Sequence, residues 1–277
     1  YTKCAASAKR ISKVMEEESE LKTVPDDGKG DKSFHISFEN VTFSYLGKEN
    51  NIKDVSFSIK KGETLGIIGA TGSGKSTLLR LLMRFYDTNS GIIRINGKDV
   101  RSYSPEELTS MFGVVFQNDF LYADTVEENI RFGRELSHEQ IVRAAKIAQA
   151  DDFISAFSDG YEHMLSQKGT NVSGGQKQRI LIARALAADP AILILDDSSS
   201  ALDYKTDASL RVALQKEMSD TTLITVAQRV SSVKSCDLIL VLDEGRIIGM
   251  GDHEHLLESC AEYREISNSQ MGGAFVE

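Results

Sequence analysis

Gly69-Ala70-Thr71-Gly72-Ser73-Gly74-Lys75-Ser76-Thr77 is a G-x-x-x-x-G-K-S loop, set between an apolar run, Thr64 to Ile68, and a leucine-rich helix predicted from Ser76 to about Arg84. That pattern is a phosphate-binding loop. Its glycines admit positive φ and let the backbone approach a ligand, so successive N–H groups can point at the oxygens of a polyphosphate. Lys75 supplies a point charge and Ser76 a metal-ligating hydroxyl. The N-terminal dipole of the helix acts on the same spot. A plain turn between strand and helix accounts for the glycines but leaves Gly-Lys-Ser unexplained.

The rest of the chain is consistent with a folded α/β protein. It has 277 residues, 41% hydrophobic and 26% charged, enough for a substantial core and one or two subdomains. A net charge of −9 without a long basic run argues against nucleic acid as a partner. Cys4, Cys236 and Cys260 are odd in number and far apart, which suggests neither a disulfide framework nor a metal cluster; a reducing compartment is the default. No run approaches the roughly 18 apolar residues of a membrane span, and no signal-peptide pattern opens the chain. It begins on Tyr1 without an initiator methionine, so a piece excised from something larger is expected.

Residues 1–22 place Ala5, Ala8, Ile11 and Met15 on one helical face before the acidic run Glu16-Glu17-Glu18. Residues 23–33, polar and carrying Pro and Gly, read as a linker, with the domain spanning 34–277. Alternating runs between Phe34 and Ile59, and Gly91 to Ile95 entering the hairpin pair Asn96-Gly97, predict an antiparallel β-subdomain. Ser104-Pro105-Glu106-Glu107 starts a short helix, and Val114-Val115-Phe116 is a buried strand ending at Gln117. From about 118 to 189 strand signals vanish and helix starts recur, including Ser137 with Gln140, which predicts a helical subdomain. Its last helix follows Ser173-Gly174-Gly175-Gln176. Then Ala191–Leu195, Thr222–Val226 and Leu238–Leu242 alternate with a helix over Asp207–Met218, implying a mostly parallel sheet.

Asp196 and Asp197 close the apolar run Ala191–Leu195, at the carboxyl end where open α/β sheets bind ligands. Two adjacent carboxylates there call for a cation, and magnesium bridging phosphates held by Lys75 and Ser76 is the natural one.

The order of these motifs resembles the nucleotide-binding domain of an ATP-binding cassette (ABC) transporter over about residues 34–270. The resemblance implies a P-loop NTPase, RecA-like core with a helical signature subdomain, ATP and Mg2+ as ligands, and ATP hydrolysis that powers export. It implies ATP contacts from Thr71, Gly72, Ser73, Gly74, Lys75, Ser76 and Thr77, with Tyr45 stacking on adenine. Gln117 matches the Q-loop, a magnesium contact with a catalytic role, while Asp196 matches the magnesium-associated Asp. Val172-Ser173-Gly174-Gly175-Gln176 is similar to the signature and Ser200-Ala201-Leu202-Asp203 to the D-loop. In the family, both act in trans on nucleotide held by a second domain. A helix cap alone would explain Ser173 and a glycine, but not Gln176.

Two positions depart from the pattern. Asp197 stands where the family carries a Glu base, and Gln228 where it carries a switch His. Asp is a methylene short, and an amide cannot carry imidazole's charge. Binding without fast hydrolysis is expected, in the degenerate-site subunit of a heterodimeric, multidrug- or lipid-type bacterial exporter; an essentially non-hydrolysing regulatory clamp is the alternative. The first helix then reads either as an ordinary N-terminal helix or as the end of the last membrane span of the same polypeptide, which would put the domain on the cytoplasmic face. Segment 117–123 would face the membrane part. His253 and His255 read as a solvent-facing pair at a helix start capped by Asp252 rather than a metal site.

Overall fold

The structure, a computed structural model, describes residues 2–16, 21–197 and 202–272. Glu17 and Glu18 of the acidic run and Ser200 and Ala201 of the D-loop-like stretch lie outside the described residues.

Helix α1 (Thr2–Met15) is a lone helix whose side chains from Ala5 onward are exposed, with Ile11 at 61% and Met15 at 81%. Among the described residues, no helix is long and apolar enough to cross a membrane. Residues 23–33 have neither helix nor strand, yet they do not hang free. Val24 N–H donates to Arg101 O at 3.0 Å, and Asp27 accepts two bonds from Arg94, at 2.7 and 2.8 Å. Arg94 is only 3% exposed, so its guanidinium needs such partners, and it holds the Asp27 carboxyl far below the carboxylate range. The segment is a strap across the first sheet.

That sheet runs β2–β1–β4–β5, all antiparallel, from β1 (Ile36–Phe43), β2 (Ile52–Ile59), β4 (Ser90–Ile95) and β5 (Lys98–Asp99). Asn96 and Gly97, both at positive φ (52° and 74°), make the tight turn that the sequence predicts. The second sheet runs β10–β9–β3–β8–β7–β6. Its members are β3 (Thr64–Ile68), β6 (Phe112–Val115), β7 (Ile192–Asp196), β8 (Thr222–Ala227) and β9 (Leu238–Asp243), all parallel, with β10 (Arg246–Gly251) antiparallel at the edge. Sequence reading finds the parallel strands and misses β10, whose alternate side chains are exposed.

Strand alternation divides the core. Ile192, Ile194, Ile224 and Val226 face one hydrophobic cluster together with the first sheet and α2 (Lys75–Leu82), while Leu193, Leu195 and Leu223 face a second with the helices. Each of these fully buried aliphatic side chains contributes about 1.5–3 kcal/mol of transfer free energy. The second cluster is the predicted helical region: α4 (Val126–Arg131), α5 (His138–Ile147), α6 (Asp151–Ser155) and α7 (Gly174–Leu186), with α8 (Tyr204–Glu217) packed beside them. Ser104 and Ser137 both close capping boxes, at α3 (Pro105–Ser110) and α5. A third cluster joins β9 to α9 (Val230–Val233), α10 (His253–Ser259) and α11 (Ala261–Gly272).

Candidate functional site

Parallel pairing sets four strand ends side by side. Ile68 is opposite Ala227, Val226 opposite Asp196, and Leu195 opposite Val115. The residues that follow each strand therefore emerge on one edge: the loop from Gly69, then Gln228, Asp197 and Gln117. They line a cleft of about 640 Å³ with Thr71, Gly72, Gly74, Lys75, Ser76, Thr77 and Asp196. A larger groove, about 1010 Å³, between α5 and α8 has a mostly apolar surface and lies apart from these residues.

The loop is closely held. Gly74 has φ 108°, and a Cβ there would meet Asn51 O and Ile52 Cδ1 at 3.1 Å, so a side chain fits neither the backbone nor the space. Gly245 N–H donates to Ser73 O at 3.0 Å and Lys53 N–H donates to Gly245 O at 2.8 Å, so the β9–β10 turn ties the loop to β2. Lys75 Nζ folds back to donate to Gly69 O at 2.7 Å and Ala70 O at 2.8 Å. Ser73 Oγ is buried without a hydrogen-bond partner.

Electrostatics in the cleft is unbalanced. Burial pushes the Asp196 carboxyl above its ordinary range, the neighbouring Asp197 adds to this, and Lys75 and Arg80 pull against it. Burial likewise lowers the Lys75 ammonium, opposed by Asp196 and Asp197. Asp197 occupies the left-handed region at φ 50°, its N–H donating to Val226 O at 2.8 Å. Such a backbone costs on the order of 1–3 kcal/mol in a non-glycine residue and occurs preferentially at functional sites. Gln117 Nε2 donates to Asp197 Oδ2 at 3.3 Å. Gln228 is exposed to the cleft.

The remaining predicted residues lie elsewhere. Tyr45 is beside the loop helix, outside the cleft lining: its hydroxyl donates to Thr77 Oγ1 at 3.2 Å and accepts from Arg80 at 3.3 Å, with its ring edge-on to Phe43 and Tyr86. Ser173 caps α7, and Gln176 returns its side chain to Ser173 N–H at 2.9 Å. That reciprocal box corrects the expectation that capping leaves Gln176 unexplained: position three of a capped helix calls for Glu or Gln. Asp203 caps α8 through Thr206 N–H at 2.9 Å. The first two turns of α7, with Gly174 and Gly175, do not line the cleft, nor does Asp203. His253 is half-buried and bonds Tyr263 OH at 2.8 Å, rather than facing solvent as expected, whereas His255 is exposed and Asp252 caps its helix.

Glu49, Asn50, Asn51, Lys53, Glu244 and Gly245 also line the cleft, and sequence reading passes over them. Their signal is weak because both segments look like ordinary polar turns; only the fold brings them against the loop.

The fold has close counterparts. Residues 52–200 match the ABC transporter family model. The YknU ABC transporter ATP-binding protein of Bacillus subtilis (strain 168) is 42% identical over 274 residues, covering 98% of this chain and 47% of its own. Human ATP-binding cassette sub-family B member 6 is 41% identical over 263 residues, 94% of this chain and 31% of its own. A bacterial Atm1-family ABC exporter with ATP bound matches with a TM-score of 0.87 at 34% identity, over 96% of this chain and 47% of that one. The chain thus spans less than half the length of these relatives. With the phosphate loop, paired carboxylates and parallel sheet in this arrangement, the chain belongs to the ABC transporter family, of which it carries the ATP-binding ATPase domain.

Proposed function

We propose that the chain is the nucleotide-binding part of an exporter half-transporter, residues 1–22 continuing from its last membrane span, 23–33 linking it, and 34–277 working at the cytoplasmic face. The likeness to the bacterial Atm1-family exporter supports this reading, as does α1, a lone helix exposed from Ala5 onward. The observation that carries it is the convergence of Lys75, Ser76, Gln117, Asp196, Asp197 and Gln228 on one cleft.

In this reading the loop N–H groups and Lys75 bind the phosphates of ATP, and Tyr45 offers its ring to adenine. Lys75 leaves the carbonyls of Gly69 and Ala70 to do so, a like-for-like exchange of charge-assisted bonds. The donors Ser76, Asp196 and the Gln117 amide oxygen are hard oxygen ligands beside an under-neutralised carboxylate pair, which suits Mg2+. Bound there, Mg2+ would neutralise charge on the β- and γ-phosphate oxygens. Asp197 is left to orient and deprotonate the attacking water, and Gln228 to contact the γ-phosphate. The shorter carboxylate misplaces the base by more than about 1 Å, a change that can cost around a hundredfold. Gln228 can hydrogen-bond but cannot bear charge.

Own-site hydrolysis is therefore slow. Ser173, Gly174, Gly175, Gln176 and Asp203 lie outside this cleft and instead complete the site of a second, head-to-tail domain, one with Glu and His at the two altered positions. The product is an asymmetric heterodimer; a non-hydrolysing regulatory clamp is the second reading, favoured by the same two residues. Single-turnover ATP hydrolysis by the chain, alone and mixed with a Glu- and His-bearing partner domain, tests the proposal. Fast turnover by the chain alone contradicts it.

A further inference from the structure

Within the loop that carries Gln228, Ser232 N–H donates to Arg229 O at 3.1 Å. Arg229, the residue before α9, makes no side-chain cap there. A second anchor comes from forty residues away in sequence: Gln270, near the end of α11, accepts from Val230 N–H through Oε1 at 2.9 Å. The same amide donates through Nε2 to Gln228 O, also at 2.9 Å.

One planar amide thus grips the two peptide groups that flank Arg229. Holding both planes fixes the backbone of Arg229, found extended at φ −103°, ψ 130°, and with it the direction in which Gln228 leaves β8. The far end of the grip is firm. Helix α11 is seated by Tyr263, fully buried with its hydroxyl bonded to His253, by the 4%-exposed Ser267, and by Ile266 packed on the third cluster. The near end is equally fixed, since Ala227 is in register with Ile68 just before the phosphate loop. Only Gln228 and Arg229 lie between the two, and both are exposed.

We propose that Gln270 is a positioning residue for nucleotide turnover: through the Gln228–Val230 backbone, the carboxyl-terminal helix holds the Gln228 side chain toward the cleft. The proposal rests on the reading of that cleft as the ATP site. It also gives α11 a role, since displacing its last turn releases the switch position without touching the phosphate loop.

Gln270→Ala and Gln270→Glu separate the proposal from a structural role. Glutamate can still accept from Val230 N–H but cannot donate to Gln228 O. The measurements are ATP affinity, single-turnover hydrolysis in the 277-residue chain carrying Asp197→Glu to raise the signal, and hydrogen exchange at Val230. With Gln270→Ala, kcat falls about three- to tenfold, KM for ATP stays within about twofold, and Val230 exchanges about fivefold faster, as loss of one hydrogen bond gives. With Gln270→Glu, kcat falls likewise while Val230 exchange stays at the parent rate. In a Gln228→Ala background, neither change lowers kcat further. Parent-like kcat in both variants, or an equal fall with and without Gln228, overturns the proposal while leaving the ATP site intact. Failure of the Asp197→Glu chain to bind ATP overturns the cleft reading, and the proposal with it; failure to hydrolyse bound ATP overturns the proposal alone.

Discussion

Gln117 Nε2 donates to Asp197 Oδ2 at 3.3 Å, so the amide that follows β6 meets the carboxylate that follows β7 at the mouth of the cleft. The bond is long and lies at the solvent edge, so it contributes little to stability. Gln117→Ala is expected to change unfolding free energy by less than about 0.5 kcal/mol while lowering MgATP turnover. Denaturant titration and ATPase assay of the same preparation check both halves.

Lys75 is the only lysine of the phosphate loop, and its ammonium sits near two carboxylates in a partly desolvated cleft. Lys75→Ala is expected to weaken ATP binding by about tenfold to a hundredfold, the loss of charge-assisted bonds. Calorimetric titration with ATP measures it. An unchanged affinity would place the phosphates elsewhere.

Asp196 predicts a pH effect. Its folded-state carboxyl is raised above the ordinary 3.8 by burial first and Asp197 second. An acid raised on folding contributes stability that is full below the unfolded value and lost as pH rises through the folded one. Without nucleotide, Asp196→Asn is therefore expected to melt higher than the parent at pH 7. The gap should narrow through the carboxylate range and close below it. Thermal melts across pH follow the trend, and the same variant should lose Mg2+-dependent ATP binding.

Ser173 joins a local task to a proposed distant one. Ser173→Ala removes the capping bond to Gln176 N–H and is expected to cost about 1 kcal/mol of stability. ATP binding by the chain's own loop stays at the parent level, because Ser173 does not line that cleft. ATP-driven pairing with a second domain is lost, which size-exclusion chromatography with light scattering detects.

Much of this was legible in the sequence because chemistry and period coincide there. The run Ile192–Leu195 is wholly apolar, as a strand buried on both faces must be, and it points at Asp196 and Asp197. Lys75 and Ser76 follow from local spacing. The carboxyl-terminal third was harder. Strand β10, with alternate side chains exposed and Gly249 inside it, carries too weak a pattern, and α10 and α11 follow with no linker between them. The clasp of Lys53, Ser73 and Gly245 joins backbone groups of distant segments, and the grip of Gln270 joins a side chain to a distant backbone; neither leaves a trace in side-chain periodicity. The strap at 23–33 was hidden for another reason: its polar residues look like solvent-facing linker until Arg94, buried among hydrophobic strands, requires Asp27.

On the proposed reading, Asp197 and Gln228 slow hydrolysis while leaving ATP binding intact. Single-turnover ATP hydrolysis by the parent chain and by the Asp197→Glu, Gln228→His double variant, at saturating MgATP, tests it most directly. Equal ATP affinity is expected, with turnover faster in the double variant by at least about tenfold, within the roughly hundredfold that base misplacement can cost. Equal turnover rates would contradict it.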